Sequence, residues 1–132
     1  MKQEQRYNIF KRTHKGLRSM LFDAGAKIQQ TDFTKNKQAG AAIDVIKQST
    51  RSFLYHLSKE DNIVYHSVVL YAPYIVAMIE QTNIKDEALA RSIDKTIDQY
   101  KGLNTKKEMI AFGHQLQAAF FEFTAAVLQH MN

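Results

Sequence analysis

The sequence predicts an all-α fold, an up-down-up-down four-helix bundle, and three observations carry that expectation. The composition leaves little material for tight turns, with five glycines and one proline in 132 residues, while Ala, Lys, Gln, Leu and Ile favour long helices. Four successive segments place apolar residues at alternating steps of three and four, the spacing of a helix stripe that faces a partner. Polar connections separate those segments, and stripes joined in this way pack into an antiparallel bundle of about 20-residue helices.

The first helix shows the stripe Phe10, His14, Leu17, Leu21, Ala24 and Ile28. The polar run QTDFTKNKQ over 30–38 reads as the first connection. A second stripe follows as Ala42, Ile46, Ser49, Phe53, His56, Glu60 and Ile63. Asn62, His66 and Pro73 interrupt the pattern, so this helix is expected to loosen between Asp61 and Ala72.

Pro73 suits the first turn of a third helix, whose stripe is Ile79, Asn83, Asp86 or Glu87, Ala90, Ile93, Ile97 and Tyr100. Lys101 to Thr105 form a turn. Thr105 is an N-cap, with Glu108 three residues on completing a capping box. The last stripe is Met109, Phe112, Leu116, Phe120, Phe123, Val127 and His130. A stripe that runs to two residues from Asn132 without a stop signal predicts a single domain over 1–132 whose natural C-terminal end lies further on.

Charge and cysteine usage narrow the function classes. The net charge is +5, but the basic residues are spread along the chain. The best basic stripe, Lys11, Lys15 and Arg18 beside Arg12, lacks an aromatic platform or recognition spacing and reads as a solvated face, so no nucleic-acid partner is expected. Zero Cys removes disulfides, thiolate metal sites and a cysteine nucleophile, and fits a reducing cytoplasm. The apolar stretch from Val68 to Ile79 is too short to span a bilayer, and no leader follows Met1, so no membrane partner is expected. Tyrosines and Phe121, which lies off the core phase, would mark a homodimer face or a surface covered by further chain if they stand exposed.

Each stripe carries a polar group: His14; His56 with Glu60; Asn83 with Glu87; and His130. A lone buried carboxylate costs several kcal/mol unless it is paired, protonated or metal-bound. A cluster is therefore informative where one residue is not. Imidazoles and carboxylates converging between helices suit iron, manganese or zinc. Residues four apart offer two ligands one turn apart, as in His56 with Glu60 and Asn83 with Glu87. The plain alternative is that neutral imidazoles donate to buried acceptors and fill the core. His66 and His114 fall off the stripes and read as surface residues.

Across most of its length the chain resembles the hemerythrin-like, or HHE cation-binding, domains. The resemblance rests on YNIFKRTHKGLRSMLFD around His14, FLYHLSKED around His56 and Glu60, YAPYIVAMIEQTNIKDEAL, and FEFTAAVLQHMN around His130. It implies a four-helix bundle with a two-iron centre used in oxygen binding, sensing or storage, in which His14 and His56 serve one iron and Glu60 bridges to the second. The other half departs from that pattern. Asn83 and Glu87 stand where the family has a histidine pair, and the second bridging carboxylate would lie beyond Asn132. A mononuclear site from His14, His56, Glu60 and Glu87 or His130 is one outcome, and a site without metal is the other.

Three functions follow: a divergent non-haem metal protein, with iron first and dioxygen as a candidate ligand; a metal-free bundle acting as a structural or interaction module; and an oxygen-activating enzyme. The enzyme is the least expected, because no acid–base pair or substrate pocket can be specified from these residues.

Overall fold

The computed structural model describes the backbone of residues 2–68 and 70–131, and the side chains of residues 13–60, 62, 70–129 and 131. Four helices follow in order: α1 (Lys2–Gln30), α2 (Asn36–Val68), α3 (Pro73–Asp98) and α4 (Lys106–Met131), with a 3-10 turn at Gln99–Gly102. There is no strand among the described residues. Each of α1 and α3 packs on both α2 and α4, which is the up-down-up-down arrangement.

The sequence stripes become the core. Leu17, Leu21, Ala24 and Ile28 of α1 meet Ala42, Ile46 and Phe53 of α2, Ala90, Ile93 and Ile97 of α3, and Phe112, Leu116, Phe120, Phe123 and Val127 of α4, all buried in one cluster. Phe53 and Phe123 are fully enclosed and meet edge to face, 5.1 Å between ring centres. Truncating either to Ala removes about 3–5 kcal/mol.

The connections close one end of the bundle. Asp32 Oδ1 accepts from the Thr34 amide at 3.0 Å and from the Thr34 hydroxyl at 2.6 Å, which folds residues 31–35 into a tight turn and holds the Asp32 carboxyl below its usual range. Phe33, carried by that turn, packs edge to face on Phe112 at 5.8 Å. The Tyr100 hydroxyl donates toward the Phe33 carbonyl and Asn36 Oδ1, 3.0 Å from each, tying the first connection to the third. Burial pushes the Tyr100 phenol up from its usual value. Thr105 caps α4: its hydroxyl accepts from the Glu108 amide at 3.1 Å and donates to the Glu108 carboxylate at 3.0 Å.

Two boundaries differ from the sequence expectation. The first connection is shorter, because α2 already starts at Asn36. More consequentially, α2 does not loosen after Asp61 but continues through Asn62 and His66 to Val68. Asn and His are only mildly unfavourable in a helix, whereas Pro73 drives the preceding residue out of the α region, and Ala72 accordingly sits at φ −150°, ψ 73°. The helix ends at Val68, within the 61–72 window, and Pro73 sets the extended residue that leads into α3. Continuity of α2 holds His56 and Glu60 on one rigid rod rather than beside a hinge.

Candidate metal centre

The polar cluster lies on the stripes of α1 and α2, away from the closed end. His56 and Glu60 are one turn apart on α2, so both side chains leave the same face. That face is inward: the His56 side chain is 5% exposed and that of Glu60 11%. α1 brings His14 across from them, forty-six residues away in sequence. His14 Nε2 stands 2.9 Å from Glu60 Oε1, and His56 Nε2 stands 3.1 Å from the same oxygen. The two imidazole rings meet edge to face, with centres 5.0 Å apart.

With Glu60 ionised, and so an acceptor only, the 2.9 Å contact requires the tautomer that carries a proton on His14 Nε2. The His56 approach is within ion-pair distance, yet its Nε2 makes no hydrogen bond there. One carboxylate oxygen therefore serves two imidazoles and satisfies one of them well. A donor atom from each of His14, His56 and Glu60 can be chosen so that all lie within 4.8 Å of one another. Two imidazole nitrogens and a carboxylate oxygen are the donor set of non-haem iron(II), zinc and manganese sites. The cluster is thus able to coordinate a metal ion.

The remaining candidates separate. Glu87 is about half-exposed and pairs with Arg91 one turn on, Oε1 lying 2.6 Å from Nη2 and 3.0 Å from Nε. The structure does not bring it to the cluster. Asn83 is buried at 4% exposure on the core face of α3. The His130 side chain lies outside the described residues, as do those of Phe10, Ile63 and His66. His114 is exposed, as its off-stripe position predicts.

Asp86, at 2% exposure, is the acid that α3 turns inward. Periodicity held a signal for it. Asn83, Asp86, Ala90, Ile93 and Ile97 advance by three, four, three and four, whereas inserting Glu87 breaks that alternation. Beside the cluster, α2 and α3 frame a groove of about 660 Å³, lined by Leu54, Leu57, Val76 and Ile79 with Asn83 and the Glu87–Arg91 pair.

No protein-family model, curated protein or solved structure matches the chain. Its fold and site define a class of their own accord: an all-α four-helix bundle with a buried His–His–Glu cluster able to hold a metal ion. No helix among the described residues is long and apolar enough to cross a membrane.

Proposed function

We propose that this protein is a non-haem metal-binding bundle in which His14, His56 and Glu60 hold one divalent ion, iron first among the candidates and manganese or zinc next. The observation that carries the reading is the convergence of two imidazoles and a carboxylate from two helices in the interior of the bundle. Burying such a set costs free energy that a metal offsets by satisfying all three donors together. Binding requires each ligating imidazole nitrogen to present its lone pair, so coordination through His14 Nε2 would need the tautomer with its proton on Nδ1.

Iron at this site would supply a redox-active Lewis acid with coordination positions for a small ligand such as dioxygen, in line with the resemblance to hemerythrin-like domains. α1 and α2 supply the orientation, and the packed side chains beneath the cluster exclude water from that side. In this reading the protein works in the cytoplasm as a metal or oxygen binder or sensor. A second copy of the chain is the partner suggested by exposed Leu70, Tyr71, Tyr74 and Met78.

One observation favours a second reading. Glu60 already accepts a 2.9 Å hydrogen bond from His14, so part of the cluster is satisfied without metal. The bundle would then be a structural or interaction module. Elemental analysis of protein purified without chelator or affinity-column metal separates the two. Iron, manganese or zinc near one atom per chain supports the metal protein, and none after anaerobic Fe(II) loading supports the module.

A further inference from the structure

We infer that Asp86 of α3, rather than its neighbour Glu87, is a further protein donor to the ion held by His14, His56 and Glu60, making a site of two imidazoles and two carboxylates. The inference rests on the proposed metal function and adds a third helix to the centre.

The helical register carries it. Thr50 Oγ1 stands 3.3 Å from Asp94 Oδ1, which fixes the level of antiparallel α2 against α3. Two turns along α2 from Thr50 lead to Leu57, and two turns back along α3 from Asp94 lead to Glu87 and Asp86. The groove between these helices confirms that level independently, since Leu57, Ser58, Asn62, Asn83 and Glu87 all line it. His56 and Glu60 bracket the same level on the core face of α2. Asp86 therefore lies at the height of the cluster, and its 2% exposure directs it to the interior while Glu87 turns to Arg91.

The chemistry agrees with the placement. Among His14, His56, Glu60 and Asp86, neutral imidazoles contribute no charge and the two carboxylates contribute two negative charges, the complement of a divalent cation. A second hard oxygen donor moves the preference away from soft ions and toward iron(II), manganese(II) or zinc(II). Asp86 stands outside the group of donors that lie within 4.8 Å of one another, so its carboxylate has to swing toward the triad to reach the ion.

The test is Co(II) binding to the full chain, followed by chelator competition and by the visible d–d bands, which report the number and type of donors. Asp86→Asn keeps the volume and removes the charge, and Asp86→Leu reaches the same end with an apolar side chain, each compared with wild type at matched helicity by circular dichroism. We expect either folded variant to weaken Co(II) binding by about tenfold or more and to change the bands, while Glu87→Gln stays close to wild type. Wild-type binding with unaltered affinity and bands in the Asp86 variants would overturn the role of Asp86 and leave the triad standing. Loss in Glu87→Gln equal to that in Asp86→Asn would assign the donor to the wrong neighbour. Absence of Co(II) binding in the wild type would remove the metal reading, and this inference with it.

Discussion

His14 and Glu60 meet at 2.9 Å across the interface of α1 and α2, and the same Glu60 oxygen stands 3.1 Å from His56 Nε2. This contact adds a polar tie to the apolar packing between the two helices. It also makes Glu60 the residue on which both readings of the site depend. In a metal site it is a ligand, and in a structural core it is the hydrogen-bond partner of His14 and the ion-pair neighbour of His56.

His56→Ala should reduce metal affinity by more than the roughly 10–100-fold expected for an outer-shell partner, while the bundle stays helical. Isothermal titration with Zn(II) or Fe(II) measures it. Unchanged stoichiometry and affinity would remove His56 from the ligand set.

Replacing the cluster together gives the opposite kind of information. With His14→Leu beside them, His56→Leu and Glu60→Met exchange the whole polar cluster for apolar side chains, and without metal this should be neutral or stabilising by up to a few kcal/mol, on the order of 1–4. Denaturant unfolding in the presence of chelator checks this. A large loss would mean that the polar cluster itself holds the bundle together.

Gly113 on α4 packs against Phe33, and a Cβ there would come within 2.6 Å of Phe33 Cδ2. Phe33 sits in the tight turn made by Asp32 and Thr34 and has little freedom to retreat. Gly113→Ala should therefore destabilise by about 1–3 kcal/mol through overpacking, although Ala is the better helix former. Thermal unfolding decides the sign, and a gain in stability would show that the turn yields.

Tyr100 gives the alkaline limb. Burial raises its folded-state pKa above the usual 10.0, so folding favours the neutral phenol. Its contribution is complete below the unfolded-state value and is lost as pH rises through the folded-state one. Tyr100→Phe should cost about 1 kcal/mol at neutral pH, from the lost hydrogen bonds to the first connection, and should flatten the decline in stability above pH ~10. Urea midpoints across pH 8 to 11 measure both effects, and an unflattened limb would assign the decline to other groups.

Much of the fold was legible because helix periodicity is local. Leu17, Leu21, Phe53, Ile93, Phe120 and Val127 each occupy the core position that their three-and-four spacing requires, and Thr105 with Glu108 marked the start of α4 correctly. The end of α2 was less legible: Asn62 and His66 were read with Pro73 as interruptions, whereas the helix runs through the first two and ends at Val68.

The sequence by itself determined the four helices, their inward stripes, and the placing of His56 and Glu60 on one face, because 3.6 residues per turn relates neighbours on one rod without reference to any other. Only the tertiary structure decided which polar residues share a site. It brought His14 to Glu60 from another helix, and it turned Asp86 inward and Glu87 out to Arg91. One residue is about 100° of helix rotation, so the choice between those neighbouring acids follows from how α3 is rotated against α2 and α4. That rotation is set by the packing of Ala90, Ile93 and Ile97 in the common core, whose three-and-four spacing already favours Asp86 over Glu87 but whose partners on other helices only the tertiary structure supplies.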